Sequence, residues 1–274
     1  MVLFPNCKVN IGLDILRRRP DGYHDVETVM VPVPWTDVLE IVPASGAETT
    51  LTTTGRTVDC PPEKNLVMKA YRALAESVGE LPPVDIYLRK IIPDGAGLGG
   101  GSADAAFTLV GLNSLFSLGL SDERLSAVAS KIGADCPFFI YNRPMIATGT
   151  GTDLAPIELE LPPYVAVIKP AESVPTREAY AGTTPRVPAV PLAERLAAGA
   201  GQWQTTVRND FEDSIFPKLP ECDAIKRRLL GMGALYASLS GSGSAVYGLF
   251  DSDILADAVA ASFPSCAVFV GRLN

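Results

Sequence analysis

Histidine is almost absent from this sequence, because His24 is the only one among 274 residues. This argues strongly against a multi-histidine metal centre, and a Ser-His-Asp hydrolase would have to rely on His24 alone. The five cysteines are scattered and odd in number, with no Cys-x-x-Cys spacing. Their pattern favours reduced thiols over a disulfide framework or a zinc site.

Positive charge and long apolar runs are also scarce. Lys and Arg total 23 against 31 Asp and Glu, and the resulting net charge of −8 argues against sequence-independent binding of nucleic acid. No apolar run approaches the ~20 residues that span a bilayer, and the chain does not open with a signal-peptide pattern. We therefore expect a cytoplasmic protein without a membrane segment. Its length allows two modest domains.

Glycine, by contrast, is concentrated in the segment 93–106, where five of the seven residues from Gly95 to Gly101 are glycine. The alternating residues 84–90 predict a strand before it, and the alanine-rich residues from Ser102 to about 118 predict a helix after it. Free backbone N–H groups and the positive end of a helix dipole meet at such a junction. The segment therefore predicts an anion-binding loop.

Other interpretations of this loop are less consistent with its surroundings. A flexible linker is not expected between a patterned strand and an alanine-rich helix. A Walker A loop needs a lysine before the Ser or Thr, and Gly101-Ser102 lacks it. The residues 95–100 fit the bare Gly-x-Gly-x-x-Gly pattern, but no clear βαβ unit with a ribose-binding acid follows. Phosphate binding remains, with ATP favoured over a dinucleotide.

The beginning of the chain carries a second candidate site. The alternation from Val9 to Ile15 predicts a strand that places Lys8 and Asn10 on the same face. These side chains are either solvated polar positions or functional groups, and Lys8 can supply the positive charge that the glycine loop lacks. The Asp-Gly turn at 21–22 is followed by Tyr23-His24, which is either a hairpin rim or part of a site.

A third candidate is Asp135, which follows a predicted helix that begins at Ser121 and ends near Gly133. It precedes Cys136-Pro137 and an aromatic run. An acid in such apolar surroundings is either a turn residue or a site carboxylate, and the local sequence leaves both possibilities open.

The remaining patterns predict the rest of the secondary structure. Strands are predicted at 26–33 and 37–42, broken by Pro32 and Pro34, and at 49–54, 153–161, 164–169, 235–239, 245–250 and 267–270. Helices are predicted at 63–78, 192–198, 223–230 and 252–263, and a polar loop at 171–180. This order indicates two α+β domains with antiparallel sheets, with a boundary at Pro162-Pro163.

Together these stretches resemble the GHMP kinases, the small-molecule kinases of galactose, homoserine, mevalonate and phosphomevalonate. The resemblance runs from about Pro5 to Val246 and rests on the blocks 8–10 with 21–24, 93–106, 133–138 and 239–244. It implies a two-domain α+β GHMP kinase fold, with an N-terminal S5-domain-2-like domain over 1–160 that binds ATP. The C-terminal domain, over 161–274, would be ferredoxin-like.

The resemblance also implies residue roles. Asp135 matches the catalytic aspartate, and Lys8 matches the lysine beside it, which would hold Asp135 ionised. The positions that match ATP contacts are Asn65, Lys90, Pro93, Asp94, Gly95, Ala96, Gly97, Leu98, Gly99, Gly100, Gly101, Ser102 and Ala103. The positions that match substrate contacts are Asn10, Tyr23, His24, Thr176 and Tyr180.

Within the family, the Asp-Gly-Tyr-His element points to a kinase whose alcohol substrate carries a cytidine diphosphate, in non-mevalonate isoprenoid synthesis. Such an enzyme would use ATP with Mg²⁺ bridging the phosphates near Ser102, without a dedicated metal site of its own. We expect small-molecule substrates, no nucleic acid or membrane partner, and a monomer or homodimer. A GHMP kinase for another alcohol and a nucleotide sensor without catalysis are the alternatives.

Overall fold

The computed structural model describes residues 1–57 and 60–273. The strands in these ranges are β1 (Val2–Leu3), β2 (Asn6–Arg18), β3 (His24–Thr36), β4 (Val38–Pro43), β5 (Thr50–Gly55), β6 (Val84–Lys90), β7 (Met145–Thr148), β8 (Asp153–Pro156), β9 (Tyr164–Lys169), β10 (Tyr236–Leu239), β11 (Val246–Phe250) and β12 (Ala267–Arg272). The helices are α1 (Leu66–Val78), α2 (Gly100–Leu115), α3 (Asp122–Ala129), α4 (Cys136–Tyr141), α5 (Thr176–Ala181), α6 (Leu192–Ala197), α7 (Ala200–Thr206), α8 (Glu212–Ile215), α9 (Pro220–Gly231) and α10 (Ala256–Ser262). A 3₁₀ turn at Pro62–Lys64 precedes α1.

The chain folds into two compact units that are not consecutive halves. Unit 1 consists of Met1–Cys7, Trp35–Asp94 and Gly99–Arg143, and unit 2 consists of Lys8–Pro34, Gly95–Leu98 and the residues from Pro144 to the C-terminus. The predicted division at residue 160 is a different partition of the chain and stays a prediction.

Unit 1 is a four-stranded sheet with helices. Its strands lie in the order β1-β4-β6-β5, antiparallel except for the parallel β5–β6 pair. Helix α2 packs against α1, α4 and β4. Its residues Ala103, Ala105 and Ala106 are fully buried. Small side chains allow this helix to be covered on several sides, which explains why its sequence lacks a polar face.

Unit 2 contains two four-stranded sheets, in the orders β2-β3-β7-β8 and β10-β11-β9-β12. The pairings of β9 with both β11 and β12 are antiparallel, as is that of β10 with β11. Its core includes Leu13, Phe211 and Phe250 together with Leu229 on α9, which packs on β10 and β11. The mixed content and the predominantly antiparallel pairing agree with the expectation from the sequence.

Several local predictions are wrong, beginning with strand β3. This strand continues through Pro32 and Pro34, which were expected to break it. The two prolines lie two residues apart, so their missing N–H groups belong to the same edge, and pairing with β7 ends at Met30. Proline is tolerated where a strand edge needs no donor.

Two helical segments also differ from the prediction, and a third lies where none was predicted. Helix α2 begins at Gly100, two residues before the expected start at Ser102. Residues 136–141 form α4, and the predicted polar loop at 171–180 contains the start of α5 after Pro175. Proline fixes φ near the helical value and fits the first turn of a helix, so Pro137 and Pro175 favour helix starts here. In the described ranges, no helix is long and apolar enough to cross a membrane.

Candidate active site

The glycine loop adopts the backbone that its composition predicts. Gly95, Gly97 and Gly99 have φ of 59°, 72° and 70°, a region that side chains with a Cβ rarely adopt. At Gly97 a Cβ would also lie 2.0 Å from the backbone oxygen of Ser240, so only glycine fits. Helix α2 starts directly after the loop, and its N-cap Gly99 offers no side-chain cap. The first-turn N–H groups are therefore available to an anion.

Within unit 2, three consecutive carbonyl groups of the loop, those of residues 96–98, accept hydrogen bonds from the protein. Ala245 N donates to Ala96 O at 3.0 Å, and Lys8 N donates to Leu98 O at 3.0 Å. Gly97 O accepts from Ser240 Oγ at 2.9 Å and from Lys8 Nζ at 3.0 Å. Among the described residues, no backbone hydrogen bond uses the N–H groups of 95–98 as donors. Hydrogen bonds to its carbonyl oxygens hold the loop in place, so its backbone N–H groups are left to bind a ligand.

Lys8 and Asn10 share one face of β2, as the alternation predicts, but they are buried rather than solvated. Lys8 is 3% exposed, and its Nζ donates to Asn10 Oδ1 at 2.5 Å. Asn10 Nδ2 donates in turn to Thr28 Oγ1 at 3.0 Å. A buried ammonium group held against the loop carbonyl of Gly97 places positive charge beside the glycine loop.

Asp135 lies in unit 1 at the N-cap position of α4, where its side chain makes no capping hydrogen bond to that helix. The following Cys136 is buried, and burial above all raises the pKa of its thiol to about 11, although the Ser102 hydroxyl lowers it. Cys136 is therefore a neutral packing residue at neutral pH. Because Lys8 belongs to unit 2, the pairing of Asp135 with Lys8 stays a prediction.

Asn65 and Lys90 line one cavity of about 190 Å³ in unit 1, which we call the Lys90 cavity. Leu66 and Leu88 form its apolar wall, and Asp94, Gly101 and Asp104 also line it. Asn65 Oδ1 accepts from Val67 N at 3.0 Å and so caps α1. This fixes the side chain and leaves its Nδ2 group as a donor.

Lys90 lies between two acids that the sequence analysis missed. Its Nζ donates to Asp37 and, at 2.7 Å, to Asp104 Oδ2, and all three side chains are buried. Burial alone lowers the pKa of Lys90, but the charges of Asp104 and Asp37 outweigh it, so the net pKa is raised. Burial raises the pKa of Asp104 to about 7 against the opposing effect of Lys90. Lys90 is therefore held charged and in place.

A second and larger cavity, of about 690 Å³, lies in unit 2 around His24, and we call it the His24 cavity. Tyr23, His24, Thr176 and Tyr180 all line it. The His24 and Tyr180 rings are stacked, with centroids 4.6 Å apart and planes 15° from parallel. Burial and then the charge of Arg18 lower the pKa of His24, which favours the neutral imidazole at neutral pH. Four of the five predicted substrate residues thus converge, while Asn10 lies with Lys8.

Other features of the His24 cavity fix its shape. Thr176 Oγ1 lies 3.0 Å from Ser242 Oγ, and Tyr180 makes an edge contact with Phe211 at 4.8 Å between centroids. Tyr23 is 67% exposed at the rim. The cavity therefore combines aromatic and hydroxyl walls with the cationic residues Arg18 and Arg177, and one aromatic ring is open to solvent. This arrangement suits a flat, partly polar ring.

The described residues contain no group of three or more His, Cys, Asp or Glu side chains that could hold a metal ion.

Comparison with known proteins gives consistent matches over almost the whole chain. The family model for the GHMP kinases N terminal domain matches residues 65–143, and that for the GHMP kinases C terminal domain matches residues 191–267. The 4-diphosphocytidyl-2-C-methyl-D-erythritol kinase of Parabacteroides distasonis is 50% identical over 252 residues, which cover 92% of each chain. The enzyme of the same name from Cytophaga hutchinsonii is 42% identical over 92% of this chain and 93% of that protein.

The solved structures agree with these matches. A crystal structure of 4-(cytidine 5'-diphospho)-2C-methyl-D-erythritol kinase superposes with a TM-score of 0.86 and 33% identity, covering 100% of this chain and 99% of the other. A homoserine kinase from Cytophaga hutchinsonii superposes with a TM-score of 0.70 at 19% identity, covering 98% of this chain and 94% of the other. The second likeness concerns the fold alone. The expected two-domain α+β kinase fold is thereby confirmed.

Proposed function

Since the chain belongs to the GHMP kinases, we propose that it transfers the γ-phosphoryl group of ATP to the 2-hydroxyl of 4-diphosphocytidyl-2-C-methyl-D-erythritol. This reaction belongs to non-mevalonate isoprenoid precursor synthesis. The observation that carries the choice of acceptor is the His24 cavity. A small aliphatic alcohol would leave an aromatic-walled cavity of this size largely empty, whereas an acceptor that carries a pyrimidine nucleotide would fill it.

The His24 cavity supports recognition of cytosine in particular. We assign base stacking to Tyr23 and Tyr180, because aromatic faces pair well with a flat base. A neutral imidazole carries one donor and one acceptor nitrogen, so His24 can read the edge of the base. Thr176 would contact the same end of the acceptor. Asn10, held beside Lys8, would contact the alcohol.

The nucleotide would be bound by the glycine loop and the Lys90 cavity. Its phosphates would lie on the loop donors from Gly95 onward and on the first turn of α2 through Ala103, with Pro93 and Asp94 bordering them. Asn65 and Lys90 would contact the nucleoside. This assignment is supported by the hydrogen bonds that the protein donates to the loop carbonyl oxygens. They leave the loop N–H groups available to the phosphates.

Magnesium would bind at this site together with the nucleotide rather than at a separate metal site of the protein. Because the described residues lack a cluster of three acids or histidines, the ion would be held chiefly by phosphate oxygens, with Ser102 Oγ as the protein ligand. When bound, Mg²⁺ neutralises charge on the phosphates.

We assign the chemistry to Asp135 and Lys8. Asp135 would accept the proton of the 2-hydroxyl as a general base, which makes the oxygen a better nucleophile. Lys8 would stabilise the negative charge that develops on the transferring phosphoryl group. Its hydrogen bond to Gly97 O supports this role, since it brings an ammonium group to the loop assigned to the phosphates.

The test of the proposed function is ATP turnover by the full chain with three acceptors: 4-diphosphocytidyl-2-C-methyl-D-erythritol, homoserine and mevalonate. We expect rapid turnover with the first alone. Comparable turnover with homoserine or mevalonate would overturn the assignment of the acceptor. We further propose a cytoplasmic enzyme that acts on small molecules as a monomer or homodimer.

A further inference from the structure

One carboxylate oxygen in unit 1 is buried without a partner. Asp104 is 2% exposed, and its Oδ2 accepts from Lys90 Nζ at 2.7 Å. Its Oδ1 has no hydrogen-bond partner in the part of the chain that the structure describes. Buried carboxylate oxygens are normally satisfied, so an open one in a folded protein calls for an explanation.

Both carboxylate oxygens of the neighbouring acid, Asp37, accept hydrogen bonds. Asp37 Oδ2 accepts from Lys90 Nζ, while Asp37 Oδ1 accepts from Ile91 N at 2.5 Å and Ile92 N at 2.8 Å. The charge of Lys90 is therefore already balanced by Asp37. A second acid is not needed to neutralise Lys90, which suggests that Asp104 serves another purpose.

The open oxygen belongs to a residue that lines the Lys90 cavity, whereas Asp37 does not line it. Donors on Lys64, Asn65 and Lys90 line the same cavity. Asn65 Nδ2 is left over because Asn65 Oδ1 caps α1, and Lys90 gives two of its three protons to Asp37 and Asp104. The cavity thus combines the open oxygen of Asp104 and the carboxylate of Asp94 with neighbouring donors and the apolar side chains of Leu66 and Leu88.

Building on the proposed use of ATP, we propose that Asp104 is a specificity-determining residue for the nucleotide, accepting a hydrogen bond from the 6-amino group of adenine through Oδ1. A neighbouring donor serves the adjacent ring nitrogen. Adenine presents an amino donor beside a ring-nitrogen acceptor, and hypoxanthine or guanine presents a carbonyl oxygen in place of that amino group. A carbonyl facing Asp104 would leave two acceptors in contact and neither one paired.

Lys90 strengthens this discrimination. A free carboxylate could pair with guanine through both of its oxygens, using the N1–H and 2-amino groups. Lys90 occupies Asp104 Oδ2, so Asp104 offers one open acceptor, Oδ1, rather than two. Burial raises the pKa of Asp104 to about 7, and an N–H donor at Oδ1 favours the ionised, accepting form.

The test is direct binding of Mg-ATP and Mg-ITP to the full chain by calorimetry, without an acceptor alcohol. Inosine differs from adenosine by the carbonyl and the protonated ring nitrogen, and it lacks the 2-amino group of guanosine. We expect the wild type to prefer ATP at least about tenfold. In Asp104→Asn, the amide oxygen would keep Lys90 and the NH₂ group would face the cavity, so the preference should fall at least about tenfold through tighter binding of ITP.

Asp37→Asn is the matched control, because it removes the same charge beside Lys90 from a residue that does not line the cavity. Its affinity for both nucleotides can fall, but the ratio should stay within about twofold of wild type. An equal shift of the ratio in Asp37→Asn would assign selectivity to the charge of the cluster and overturn the role of Asp104.

The wild type alone also decides the question, should Asp104→Asn fail to fold. Equal affinity of the wild type for ATP and ITP would overturn the proposal without any variant. A wild type that binds neither nucleotide would contradict the proposed function itself. Binding of ATP with an unchanged ratio in a folded Asp104→Asn would contradict this inference alone.

Discussion

The two cavities of this protein differ in the chemistry of the residues that line them. The Lys90 cavity, of about 190 Å³, contains the buried charges of Lys90 and Asp104, which are hydrogen-bonded to each other. The His24 cavity, of about 690 Å³, is lined by aromatic rings, hydroxyl groups and the exposed residues Arg18 and Arg177, and its Tyr23 is 67% exposed. Fixed buried charges suit a cosubstrate that must be distinguished from close analogues. A partly open aromatic cavity suits a larger ligand that covers the exposed ring when it binds.

The largest effect is expected from a variant that removes the general base and leaves both cavities unchanged. Asp135→Asn should lower the turnover number at least ~10²-fold, because the general base is lost. The affinities for ATP and for the acceptor should stay within about twofold of wild type. Asp122→Asn, on the neighbouring helix α3, is the control and should retain the wild-type rate. An active Asp135→Asn enzyme would remove Asp135 from the mechanism.

A change in the glycine loop should affect the nucleotide and not the His24 cavity. In Gly97→Ala, the new Cβ would meet Ser240 O at 2.0 Å, at a φ of 72°. The loop must move, and we expect the affinity for ATP to fall about 10- to 100-fold. Gly201→Ala is the control, since a Cβ there meets nothing within 4 Å. Unchanged ATP binding by Gly97→Ala in calorimetry would show that the loop does not hold the phosphates.

A reciprocal pair of variants separates the two cavities most clearly. His24→Ala should raise the KM for the cytidyl acceptor about tenfold and leave the KM for ATP unchanged. Asn65→Asp keeps the oxygen that caps α1 but loses the amide donor, so it should raise the KM for ATP several-fold and leave that of the acceptor unchanged. Initial rates with each substrate varied in turn measure both. Parallel changes in the two KM values would contradict the separate assignment of the cavities.

The smallest expected effect is a pH dependence that belongs to the His24 cavity. Because burial and Arg18 lower the pKa of His24 below 6.5, the neutral ring persists from neutral pH down to that lowered pKa. The KM for the acceptor should therefore be flat above pH 7 and rise a few-fold as the pH falls through the lowered pKa. Arg18→Gln should move this rise to higher pH, whereas Arg227→Gln, which alters the exposed pair with Asp223, should not. If the acceptor KM still rises at low pH in His24→Asn, the rise is caused by the titration of another group and not of His24.

The sequence predicted the local parts of these sites better than their assembly. Strand alternation placed Lys8 and Asn10 on one face, and the composition of 95–101 indicated positive φ angles, because both follow from neighbouring residues. Their burial did not follow, since it depends on strands distant in the chain. Tyr180 was connected to His24 only through the family resemblance, because 156 positions separate them and stacking is a tertiary contact.

The cluster around Lys90 was missed for the same reason. Asp37, Lys90 and Asp104 come from three separate elements, and no local pattern joins them. A signal was nevertheless present at Asp104, which stands among alanines in a helix without a polar face. An acid in such a position must be buried with a partner, but the sequence alone does not say which partner.

The assignment of the cytidyl alcohol as acceptor is best tested by ³¹P NMR of the product formed from ATP and 4-diphosphocytidyl-2-C-methyl-D-erythritol. A parallel reaction would offer 2-C-methyl-D-erythritol, which lacks the cytidine diphosphate that the His24 cavity is assigned to hold. We predict one new phosphate monoester, on the 2-hydroxyl of the cytidyl substrate, and little reaction with the truncated alcohol. Equal phosphorylation of both alcohols, or a phosphate ester on another hydroxyl, would contradict it.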